Sequence, residues 1–137
     1  MGRLRPTTHR MTDWNRVREV ETLRESGHLA EALVEFKALR ESATDAADRS
    51  SILLHEALSY YDLGHFDKEV EAASEAVRLL PEESPTRPYA EFCLACARGH
   101  GGKFDLAAQE LKAFLKRHAD LLSDNDTLNS DMMPRFG

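Results

Sequence analysis

Long apolar runs are missing from this 137-residue chain. None approaches the length that a helix needs to cross a bilayer, so nothing in it reads as membrane-spanning. Cysteine is scarce as well: there are two, Cys93 and Cys96, and a pair of reduced thiols suits a cytoplasmic setting. Proline and glycine number five and seven, and they fall mostly in turns or tails. An excess of positive charge is also lacking. Lys and Arg total 18 against 24 Asp and Glu, and three of the arginines lie in the first ten residues. The remaining body holds 15 basic against 24 acidic residues, a net charge of −9. Such a body argues against a nucleic-acid backbone as partner. The basic start, MGRLRPTTHR, has no apolar segment behind it and does not read as a secretory signal; Met11 is an alternative start.

Catalytic and metal-binding patterns are equally thin. Gly99-His100-Gly101-Gly102-Lys103 has the look of a phosphate loop. It follows a helical pattern rather than a strand, and Phe104 stands where Ser or Thr is needed. Asp124-Asn125-Asp126 opens like a calcium loop, but Leu128 and Asn129 occupy the positions of a ligand and a glycine. Asn125-Asp126-Thr127 is a glycosylation sequon only in a secreted protein. No nucleophile, base and orienting group recur together, so no enzymatic activity and no cofactor are expected. Cys93, Cys96 and His100 fall at i, i+3 and i+7, nearly one helical face. A structural zinc site needs four ligands, and activated C-x-x-C thiols sit at helix N-termini rather than in mid-helix. Two small core residues packed between helices is the plainer reading, with a metal-binding or thiol-based regulator as its rival.

What is present is a globular composition, 42% hydrophobic and 31% charged, sized for one domain. Its grammar is a recurring glycine. Gly27, Gly64 and Gly102 stand 37 and 38 residues apart, and the residues around them align. Two positions after each come Leu29, Phe66 and Phe104; nine after come Phe36, Ala73 and Leu111; seven before come Val20, Ala57 and Ala95. Glycine leaves a helix in a left-handed conformation at little cost. The expected helices are Asp13 to Ser26 with Thr12 or Asp13 as cap, Leu29 to Arg40, Ala46 to Leu63, and Phe66 to Leu80 with Asp67 as a cap candidate. Then come Ser84 to Arg98, with Pro88 as an alternative start to Ser84-Pro85, and Phe104 to about Leu122. Ala46 to Leu63 carries two adjacent apolar faces, so it is expected to pack on several sides. His28 and His65, each following a turn glycine, are expected to face solvent.

This pattern resembles the tetratricopeptide repeat, a helix–turn–helix unit of about 34 residues. The match rests on Ala57, Tyr60, Gly64, Phe66, Ala76 and Pro81 in the middle copy. Gly27, Ala32 and Phe36 carry it in the first copy, and Ala95, Gly102, Phe104 and Ala107 in the third. Glu69 departs from it, standing where a small alanine is usual, and Thr44 and Ala119 replace the closing proline. The whole chain also resembles a small bacterial family of three-repeat proteins, which bears on fold and leaves function open. The resemblance implies an all-α protein, an α-solenoid of three hairpins in a right-handed superhelix. Its expected divisions are an N-terminal extension over 1–11, a repeat domain over 12–122 (copies at about 13–46, 47–83 and 84–122), and a tail over 123–137. It also implies a concave groove lined by the first helix of each copy. Carried over, that lining is Trp14, Val17, Glu21 and Arg24; then Leu54, Leu58 and Tyr61; then Tyr89, Phe92, Cys96 and His100. Relatives that clamp a terminal carboxylate place lysine, arginine and asparagine there. Here the positions are mostly apolar with a single arginine, so the expectation is an apolar groove for a partner protein's helix or extended peptide, unless the array's own curl fills it.

The last helix pattern is as apolar as that of the middle copy, with nothing after it but a polar tail. Phe104, Ala108, Leu111, Leu115 and Leu122 form a candidate dimer face. Leu128, Met132, Met133 and Phe136 of the tail are the alternative cover.

Overall fold

The computed structural model describes residues 11–119. Residues 1–10 and 120–137 lie outside the described residues, and with them Leu122, the N-terminal extension apart from Met11, and the tail. The described chain is all-α. Six helices follow one another: α1 (Trp14–Glu25), α2 (Leu29–Ser42), α3 (Ala46–Leu63), α4 (Phe66–Arg78), α5 (Arg87–His100) and α6 (Phe104–Arg117). No helix among these residues is long and apolar enough to cross a membrane.

Local chemistry sets the ends of these helices. Asp13 caps α1, its carboxylate accepting from the Arg16 N–H at 3.0 Å, while the Thr12 hydroxyl donates to Asp48 on α3 at 2.7 Å. Asp45 caps α3 by accepting from the N–H groups of Ala47 and Asp48. Gly27, Gly64 and Gly102 all take positive φ, at 93°, 78° and 93°. The same two hydrogen bonds close each turn. Gly27, Gly64 and Gly102 donate to the carbonyls of Arg24, Tyr61 and Gly99, and the next residues, His28, His65 and Lys103, donate to Leu23, Tyr60 and Arg98. This is the Schellman arrangement, which satisfies helix-end carbonyls through a left-handed glycine.

Some expected boundaries and caps differ. Helix α5 starts at Arg87 after Thr86, with Pro88 in its first turn; Ser84 and Pro85 belong to the preceding turn, where the Ser84 carbonyl accepts from Arg87 N–H. Proline lacks an N–H, so the first turn of a helix accommodates it at no loss. Asp67 is not a cap: His65 holds that position without a side-chain bond, and Asp67 lies inside the first turn of α4, where its charge favours the helix dipole. Helix α6 is described as Phe104–Arg117, and the expected end at Leu122 lies outside the described residues.

Consecutive helices pack on one another, as in a helical solenoid. Beyond that, α3 touches both α1 and α5, whereas α2, α4 and α6 touch only their neighbours in sequence among the described residues. The odd-numbered helices therefore converge along one side and the even-numbered ones splay apart. Helix α3 serves two cores. Ile52 joins Val17, Val20, Ala32, Phe36 and Ala43, while Leu53, Ala57 and Tyr60 join Ala72 and Ala76. Toward α5 and α6 the buried residues are small: Ala90, Ala95, Ala97 and Ala107. Small side chains let the helix axes approach closely, and Gly99 lies so near α6 that a methyl group there would meet the Ala107 Cβ at 3.4 Å. Glu56, buried in the core, pairs with Arg40.

Candidate functional site

A cavity of about 310 Å³ opens on the side where the odd-numbered helices converge. Ser51, Leu54, His55, Ala57 and Leu58 of α3 form one wall; Tyr89, Phe92, Cys93, Cys96 and His100 of α5 form the other. Each set recurs at three- and four-residue steps, which is what brings it to one helix face. Glu69 of α4 reaches the cavity between them.

Six of the residues expected in a groove meet here: Leu54, Leu58, Tyr89, Phe92, Cys96 and His100. Tyr61 lies at the edge, its ring centroid 4.2 Å from that of His100 and 6.1 Å from Phe66. The four residues from α1 sit differently. Val17 is buried in the core and lines nothing, because its face of α1 turns toward Ala32 and Phe36. Trp14 is exposed but away from the cavity. Glu21 and Arg24 bind each other at 2.7 Å; Arg24 also pairs with Asp62, and Glu21 accepts from His55 Nδ1 at 3.2 Å. That network closes the α1 side with charge. Burial pushes the Glu21 carboxyl up, but hydrogen bonds from Arg24 and the nearby His55 together hold it below its ordinary range. His55 is further fixed by stacking on Phe36, centroids 5.1 Å apart.

Glu69 is the unusual member. It is 4% exposed and sits five residues after its turn glycine, where the other two hairpins bury Ala32 and Ala107. His100 Nδ1 lies 2.8 Å from its Oε2 and donates to it. Its Oε1 is buried and has no hydrogen-bond partner. Burial raises the carboxyl above the ordinary range, Asp62 adds to the rise, and His100 opposes it. Sequence comparison of the three copies singles out Glu69 as a departure; that it faces a cavity depends on α4 and α5 docking together.

The thiols are half-buried rather than core. Burial pushes the Cys93 thiol up to about 11, against a hydrogen bond with Tyr89; burial first and the Glu69 charge second raise Cys96. Thiols held in that state are poor nucleophiles at neutral pH. No group of three His, Cys, Asp or Glu among the described residues is placed to hold a metal ion; His100 turns its Nδ1 to Glu69 rather than to the cysteines.

Of the expected self-association face, Phe104 is 71% exposed and Ala108 and Leu115 are exposed, while Leu111 is half-buried and Leu122 lies outside the described residues. His28 and His65 are exposed at their turns. No family model, no curated protein and no solved structure matches the chain.

Proposed function

We propose that the chain is a tetratricopeptide-type interaction module, three hairpins in a right-handed superhelix, whose concave side takes a peptide or helix of a partner protein. It acts by binding rather than by catalysis, needs no cofactor, and works in the cytoplasm. The three-repeat domain spans 12–122. One observation carries the reading: the odd-helix side leaves large apolar side chains in the open. Leu58 and Tyr61 of α3 and Tyr89 of α5, the last 57% exposed, surround a cavity whose walls are mostly apolar. Large exposed apolar groups gathered at a concavity are the usual mark of a partner site on a soluble protein. The acidic body and the lack of a basic stripe speak against nucleic acid as the partner. The thiol or metal regulator has no observation in its favour, since burial suppresses both thiolates.

Panning a displayed peptide library against the folded protein tests the proposal. We expect a family of related peptides to be enriched, and their binding to fall by roughly an order of magnitude with Tyr89→Ala or Leu58→Glu, as for loss of a central apolar anchor. Peptides that bind these variants as well as the wild type would move the site elsewhere. Failure to enrich any peptide would remove the groove.

A further inference from the structure

Glu69 Oε1 calls for a donor. A buried acceptor without a partner carries the desolvation cost of a carboxylate oxygen and gains nothing for it. A stapling role, α4 to α5 through His100, uses only Oε2. The other two hairpins hold an alanine at this position and need no such staple. Glu69 lines the cavity, so a donor placed there would lie against its carboxylate.

The surroundings select the donor. Among the described residues, Glu69 is the one carboxylate on the cavity wall, while Glu21 and Asp62 nearby are both paired with Arg24. No described lysine or arginine lines the cavity beside it, so an incoming positive charge is favoured and an anion repelled. An arginine fork prefers both oxygens of a carboxylate, and here His100 already holds one. A lysine ammonium is a compact charge on an aliphatic stem and is satisfied by a single carboxylate oxygen. The volume, about 310 Å³, is at the small end for a ligand pocket, roughly 300–1,000 Å³, and fits one long side chain.

We propose that the cavity is an anchor pocket for a lysine side chain of the bound segment, its stem lying between Leu58, Tyr89 and Phe92 and its ammonium donating to Glu69 Oε1. This rests on the peptide-groove reading and names the residue that groove selects.

Three probes with one apolar stem and different heads test it: hexylammonium, hexanol and hexanoate, titrated while following the NMR signals of the Leu58, Glu69 and Cys93 amides. Hexylammonium should bind roughly tenfold more tightly than hexanol, the difference expected of a charge-assisted bond, and hexanoate should not bind. In Glu69→Gln that margin should vanish while hexanol binding stays. Equal binding of the ammonium and the alcohol by the wild type overturns the proposal, as does a margin that survives Glu69→Gln. Should Glu69→Gln fail to fold, the wild-type ranking of the three probes decides. The source of the amine is read from the displayed peptides. Enriched peptides should carry a lysine, and its replacement by norleucine should weaken binding roughly tenfold. Enriched peptides without lysine overturn the anchor and leave the groove standing. A preference for hexylammonium with no enriched peptide overturns the groove, and the lysine with it.

Discussion

Single residues in this molecule matter most where charge is buried. Glu56 on α3 is nearly enclosed, and Arg40 on α2 is its partner. Burial raises the Glu56 carboxyl, and the Arg40 hydrogen bond opposes the rise. A carboxyl with a folded pKa above its unfolded value contributes fully below the unfolded value, and that contribution is lost as pH rises through the folded one. Arg40→Met removes the opposing cation and drives Glu56 higher still. The variant should lose about 2 kcal/mol near neutral pH, toward the low side for a broken buried pair, because the Arg40 side chain keeps 24% exposure. Thermal or urea melts at a series of pH values check the sign. The deficit should narrow as the pH falls into the carboxylate range and Glu56 takes up a proton; a deficit that widened in acid would place the cost elsewhere.

At the scale of the element, each helix pair is set by its turn. A Cβ added at Gly27, Gly64 or Gly102 meets no atom within 4 Å, so the cost of a side chain there is purely that of the backbone conformation. Two adjacent glycines separate this effect from packing. Gly102 has a φ of 93°, and Gly102→Ala should cost about 1–2 kcal/mol. Gly101 has an ordinary φ of −82°, and a methyl there would touch the Phe66 Cβ at a comfortable 3.6 Å. Gly101→Ala should be neutral or stabilise by up to about 1 kcal/mol through the unfolded chain. Equal losses from the two substitutions, by thermal midpoint, would mean that the turn is not held by its left-handed residue.

At the scale of the whole molecule, the two main cores share α3, so the helices depend on their neighbours as in other stacked arrays. The array is uneven at its end. Phe104, Leu106 and Leu115 of α6 are exposed, and among the described residues no helix follows to cover them. Self-association through this face is the expected outcome. Light scattering should find a dimer that Leu115→Glu dissociates. A chain that is monomeric until it is truncated after Asp124 would instead identify its own C-terminal residues as the cover, and a monomer in both forms would defeat both.

The sequence by itself determined the helices and the turns, because both are local. Three glycines at matching spacing need only their own φ and two nearby carbonyls, and Asp13 and Asp45 cap with the N–H groups beside them. The start of α5 stayed open between Ser84 and Pro88, since both are sound signals over a few residues and packing of α5 chose the later one. Tertiary structure decided the site. Val17 and Leu54 read alike as apolar residues on first helices, yet α2 covers one and the cavity receives the other. Glu69 stood out only as a misfit in an alanine position. Its burial, its bond to His100 and its unpartnered oxygen arise from the docking of α4 against α5, 31 residues apart along the chain for that pair, and burial of a charge is a property of the assembled fold rather than of any local stretch.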